Sequence, residues 1–176
     1  MRIDSPASVP TLTQGYLYIP QHNSGAIAGS NPGTNNRVHL YAFDVPNNLT
    51  IAKIIINCSA GTGAQITVGI YSRDGNTLLG SATVASSVAN VNTLTPSSPI
   101  ALTPGSYWLA IAAATWSVSV QTMQVVAVQE ALLNGYNKRF AYATNAMSAG
   151  SLPSATGTIN AQGGAVNFPI VKLETA

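Results

Sequence analysis

This chain is nearly devoid of charge: 7% of its residues are Asp, Glu, Lys or Arg, against about 25% in an average soluble domain. The seven bases run from Arg2 to Lys172, and only Lys138 and Arg139 are adjacent. Binding nucleic acid through its phosphates needs a basic patch, so no nucleic-acid partner is expected. Long apolar runs are also missing. Hydrophobic residues make up 46% of the chain, yet no stretch approaches the ~18–20 consecutive apolar residues of a membrane helix. Membrane insertion is therefore not expected. A single cysteine, Cys58, rules out an intrachain disulfide, and its place at the end of "KIIINC" predicts a buried thiol. The opening residues, "MRIDSPASVPT", carry a base but no apolar h-region. They do not read as a secretory signal, which predicts synthesis and folding in a cytoplasm. The sequons at Asn48 and Asn57 are then chance matches.

Groups that do chemistry are as scarce. The carboxylates are Asp4, Asp44, Asp74, Glu130 and Glu174. A glycosidase needs two of them within roughly 5–10 Å across a cleft. Asp44 lies by a strand end and Asp74 in a turn, so nothing local brings them together. His22 and His39 are the two histidines; with no HxH or CxxC spacing, no metal site is expected. There is no G-x-S-x-G elbow, and "GTGAQI" at 61–66 lacks the third glycine and following helix of a phosphate loop, so it reads as a turn. The expectation is a non-enzyme with no catalytic, cofactor or metal residue.

What the chain has is short strands punctuated by turns. "RVHLYAFDV", "LTIAKIIINCSA", "QITVGIYS", "TLLGSATVAS", "VNTLTPSSPIAL", "GSYWLAIAA", "TWSVSVQTMQVVAV" and "VNFPIVKLE" are rich in β-branched and aromatic residues and bounded by turn residues. In "QITVGIYS", Ile66, Val68 and Ile70 share one face, and Gln65, Thr67 and Tyr71 the other. Asp74-Gly75 is a hairpin turn signal, with Asp74 as the turn former. About eight strands at such spacing predict an all-β, antiparallel sandwich. Residues 1–36, rich in Pro, Gly, Ser and Asn, read as an extended N-terminal arm, and 37–176 as the sandwich domain. The one helical candidate is 128–139, barely two turns. Residues 144–165 read as a long polar loop.

The aromatic residues divide by face. Tyr107, Leu109 and Ile111 alternate with Trp108, Ala110 and Ala112. Trp108 over small residues packs against a facing sheet or a neighbouring chain. Trp116 shares its face with Val118 and Val120 and reads as core. Tyr71, beside Gln65 and Thr67, is expected to be exposed, the candidate surface contact for a glycan or a subunit.

Four stretches in order carry a family likeness: "HLYAFDVPNNLTIAKIII", "VGIYSRDGNTLLGSATV", "ALTPGSYWLAIAA", and "LPSA" followed by "PIVKLE". They span about 38–173 and resemble a β-sandwich domain recurrent in tailed-phage virion proteins, of the tail-fibre or minor structural type. "VGIY" and "PGSYWLA" also occur in carbohydrate-binding-like sandwiches. The resemblance implies a jelly-roll-like fold of eight to nine strands on a virion, and a non-catalytic structural role in a tail fibre, baseplate or other accessory part. It implies partners that are copies of the chain itself, as a homotrimer, and other virion proteins. A carbohydrate- or receptor-binding module that touches a host surface glycan, and a capsid decoration or cement protein, are the alternatives. It supplies no catalytic residues.

Overall fold

Among the described residues, fourteen antiparallel strands form two facing sheets. A computed structural model describes residues 16–19, 27–30, 34–60, 63–125, 140–161 and 166–176. The strands are β1 (Tyr16–Ile19), β2 (Ile27–Ser30), β3 (His39–Val45), β4 (Leu49–Ala60), β5 (Ile66–Ser72), β6 (Leu78–Val84) and β7 (Asn90–Leu94). They continue with β8 (Ile100–Leu102), β9 (Gly105–Ala113), β10 (Ser119–Val125), β11 (Phe140–Ala143), β12 (Ile159–Ala161), β13 (Val166–Pro169) and β14 (Val171–Thr175). Among the described residues there is no helix; the helical candidate at 128–139 lies outside them.

One sheet runs β12-β11-β3-β9-β5-β6. The other runs β1-β14-β4-β10-β13, with β2 paired to β10 and both β7 and β8 paired to β4. The all-β sandwich is thus as expected from the strand pattern, built from more and shorter strands than the eight counted. The Pro96–Pro99 stretch separates β7 from β8, because proline cannot donate to a ladder. The closing "VNFPIVKLE" divides at Ile170, half-buried rather than inward, whose N–H donates to the Gln121 carbonyl (2.8 Å). Within residues 1–36, β1 pairs with β14 and β2 with β10, so this segment supplies strands to the sandwich.

β4 is the organising strand of its sheet. Its twelve residues are isoleucine-rich, and β-branched side chains suit a pleated surface. Ile51, Ile54, Ile56 and Cys58 are buried between the sheets. The register shift near Thr175 lets Ile51 and Ile54 both face inward although three positions apart. From the opposite sheet come Tyr41, Phe43, Ile66, Val68, Ile70, Leu109 and Ile111. Trp116, Val118 and Val120 join them on one face, as alternation predicts.

The six-stranded sheet is apolar on its other face too. There Val38, Leu40, Tyr71, Trp108, Ala110, Ala112, Ala141 and Ala143 form a second core. Trp108 is buried by neither the facing sheet nor a neighbouring chain. Residues 144–158 cross this outer face as a strap, and Met147 and Leu152 supply its apolar side. The alanines of β9 and β11 leave room for it. Gly69 does the same, since a Cβ there would fall 2.6 Å from Leu152 Cδ1.

Hydrogen bonds fix the strap along its length. Met147 N–H donates to the Asn36 carbonyl (2.8 Å), and Leu78 N–H to that of Ser154 (2.9 Å). The Thr67 hydroxyl donates to the Gly150 carbonyl (2.7 Å). Ser148 and Ser151 exchange backbone bonds around Ala149 and Gly150, both at positive φ, the geometry of a type I′ turn. At the far end Thr156 N–H donates to the Gly75 carbonyl (2.9 Å). Gly75 has φ +77°, and a Cβ would strike the Thr156 hydroxyl, so glycine is needed for both conformation and space. The "long loop" of the sequence is therefore a structural element, ending in β12.

Truncating the strap's apolar contact tests this second core. Leu152→Ala is expected to lower unfolding free energy by about 2–4 kcal/mol. Urea denaturation with a native-like m-value is the measurement. An unchanged midpoint would show that the strap contributes nothing to stability.

Candidate functional site

The residue singled out as a surface contact is inside. Tyr71 has 0% exposure, and its hydroxyl donates to the Pro153 carbonyl (2.5 Å). Its neighbours Gln65 and Thr67 looked like a solvent face. The strap instead roofs that face, and Thr67 is a hydrogen-bond partner for the strap backbone. Burial raises the phenol's pKa well above its ordinary value. Tyr71 is accordingly no glycan platform in this fold.

Trp108 lies beside it, paired across the ladder at Tyr71↔Trp108. Its indole N–H donates to the Arg73 carbonyl (2.8 Å), and the Arg73 guanidinium stands 4.3 Å over the ring. That is a cation–π contact at the strap's edge. The 72–77 turn that positions Arg73 is held by Asp74. Its Oδ1 accepts from the Ser72 hydroxyl (2.5 Å) and the Asn76 N–H (3.0 Å), and Oδ2 from the Asn76 amide (2.8 Å). The Ser72 bond, then those from Asn76, hold the Asp74 carboxyl below its usual pKa. Asp74 is a turn former, as its Asp-Gly sequence predicts.

The other described carboxylates are also engaged locally. Asp44 Oδ1 accepts from the Ser106 hydroxyl (2.6 Å) across the β3–β9 ladder. Glu174 receives Lys53 on Oε1 and Lys172 on Oε2, each at 2.9 Å. Lys172 first, then Lys53, lowers its pKa, and such exposed pairs contribute little to stability. Asp4, Glu130, His22 and Tyr136 lie outside the described residues. Among the described residues no three His, Cys, Asp or Glu side chains come together as metal ligands. Cys58 is buried, and burial raises its thiol pKa.

His39 is the one imidazole in the inter-sheet core among the described residues. It stacks on Phe140 (centroids 6.1 Å, interplanar 6°) and meets Trp116 edge-on (6.4 Å). It is 3% exposed, and neither ring nitrogen has a hydrogen-bond partner among the described residues. Burial, helped by the positive charge of Arg37, lowers its pKa from 6.5 to about 4. Arg37 itself lies 4.8 Å over the Tyr142 ring. At neutral pH His39 is an uncharged aromatic spacer.

The polar surface carries three exposed large hydrophobic residues among those described: Leu79, Val88 and Val91. Leu79 lies in β6, Val88 in the bend that follows it and Val91 in β7. Asn92 holds this bend, accepting from Val88 N–H (2.8 Å) and donating to the carbonyls of Val88 (2.8 Å) and Asn90 (3.1 Å). Ser87 ties it to the start of β5, donating its N–H to the Ala64 carbonyl and accepting from Gly63 N–H (2.9 Å each). Alternation along "NVNTL" hid this in the sequence, because a lone valine between asparagines signals neither core nor contact.

Comparison with protein-family models, curated proteins and solved structures gives no match for this chain.

The enclosure of His39 has a pH consequence. Its folded pKa lies below its unfolded value, so the unfolded chain binds the extra proton between pH 6.5 and about 4. The stability this neutral ring contributes is fully present above pH 6.5 and is lost as pH falls through that window. A loss of about 2–3 kcal/mol is expected, read as a falling melting temperature from pH 7 to pH 4. His39→Phe should flatten that part of the profile; an equal slope in the variant would assign the acid sensitivity elsewhere.

Proposed function

We propose that this chain is a non-catalytic structural component of a tailed-phage virion, acting through protein–protein contacts. The observation that carries the contact role is the placement of its exposed apolar side chains. Val88 and Val91 stand 53% and 59% exposed on a bend clamped by Asn92 and Ser87. Apolar groups held rigidly in water on an otherwise neutral surface are what a docking surface provides. The large aromatic residues at the centre of the fold support the same reading. Tyr71, Trp108 and Trp116 are all consumed in internal packing, which disfavours the glycan-binding alternative.

The placement on a phage particle rests on the sequence landmarks. Each of them coincides with a joint of the fold: β3 into β4, β5 through its turn into β6, β8 through Pro104-Gly105 into β9, and the strap leading to β14. The virion setting itself is inferred from the sequence likeness alone. Tail fibre, baseplate and head decoration are all compatible with it.

Two measurements test the reading together. Mass spectrometry of purified particles is expected to find the chain as a stoichiometric component, and light scattering of the purified protein to show self-association. A chain that is absent from mature particles and monomeric at every concentration is not this kind of protein.

A further inference from the structure

We propose that the β7 edge is the surface through which this chain binds a second copy of itself, by two-fold pairing of β7 against β7. The proposal rests on the contact role argued above and names its partner. β7 is hydrogen-bonded on one side, to β4, with Ile54↔Leu94 and Ile56↔Asn92 as its inward pairs. Among the described residues no strand pairs with its other side. Asn92 and Leu94 point into the sandwich, while Val91 and Thr93 point out. Val91 lies opposite Asn57, and Thr93 opposite the half-buried Ile55.

Natural edge strands are usually protected against pairing by a lysine, a proline or a bulge. β7 reads "NVNTL" and has none of these. The nearest prolines, Pro96 and Pro99, lie beyond its C-terminal end, in the connection to β8. The bend before β7 is also held in place, with Asn90 at φ +81°, a conformation that costs free energy unless surroundings impose it. An unprotected edge beside a fixed apolar bend is prepared for a strand.

The absence of charge is what lets that strand be another copy. A two-fold axis through an antiparallel pair sets each residue near its own counterpart, so any charge close to the axis meets its like. From Gly75 to Gln129 the chain contains no Asp, Glu, Lys or Arg. β6, β7 and β8 can therefore approach their own images without repulsion. The charged groups of the β4 sheet, Lys53, Lys172 and Glu174, are drawn together across β4 and β14 instead. A two-fold contact gives a dimer, in place of the homotrimer that the virion likeness implies.

The test uses the full chain in sedimentation velocity from about 1 µM to about 500 µM, a range suited to a small interface. The expected result is a concentration-dependent mass of two chains. Val91→Lys places two like charges beside the axis and should weaken the dimer at least about tenfold with an unchanged melting temperature. Val88→Asp, on the bend, is the second variant in case the first perturbs folding. A wild-type dimer or trimer whose mass neither variant changes overturns the surface assignment while leaving the contact role standing. A wild-type chain that stays monomeric throughout overturns the self-pairing itself; its presence or absence in particles then decides the broader reading separately.

Discussion

The structure depends on one six-stranded sheet that is apolar on both faces. β9 runs through its middle and divides strictly: Tyr107, Leu109 and Ile111 reach toward the β4 sheet, while Trp108, Ala110 and Ala112 face the other way. A sheet buried on one side needs one covering layer, and this one needs two. The β4 sheet is the first. The second is a stretch of backbone, residues 144–158, with only Met147 and Leu152 as sizeable apolar groups. Its closeness is possible because alanine and glycine form the floor beneath it, so the large Trp108 and Tyr71 rings fill the remaining depth. The same demand explains Gly75, Gly69 and the Ala149-Gly150 turn, each of which lets two backbones approach.

Scarcity of charge shapes the rest. With few ions to place, the fold settles its polar groups through neutral bonds. Thr67, Tyr71 and Thr156 each bind backbone carbonyls of another segment, and Asn92 binds the backbone of its own bend. Such bonds need burial on one side and a fixed partner on the other, which favours a rigid scaffold. His39 is the exception, an ionisable ring held among Phe140, Trp116 and Tyr142's neighbour Arg37 without a polar partner among the described residues. It fills a place that an apolar ring could fill, and its cost appears only in acid.

A surface of Ser, Thr and Asn binds water without steering partners. Long-range electrostatic attraction has little to act on, which leaves shape, backbone edges and the few outward apolar groups as the features of this surface. Val88 and Val91 are conspicuous for that reason. On a highly charged protein two exposed valines would carry little meaning; here they coincide with an unprotected strand edge.

The all-β sandwich was legible in the sequence because strand signals are local. Alternation, β-branched runs and turn residues such as Asp74-Gly75 depend on near neighbours, and so did the inward placing of Trp116, Val118 and Val120. The burial of Cys58 followed from its isoleucine-rich strand. Tyr71 was misplaced because its exposure depends on residues some eighty positions later: Pro153 and Gly150 turn a polar-looking strand face into an interior. Trp108 was placed on the right side of β9, but what covers it could not be read from a strap rich in small, polar residues. The segment 1–36 looked like an arm because its strands are short, and only pairing with β10 and β14 makes them part of a sheet. Local sequence determined which residues form strands and which way they point. The tertiary structure decided which faces meet another layer, because burial is set by whatever distant segment arrives to cover a face.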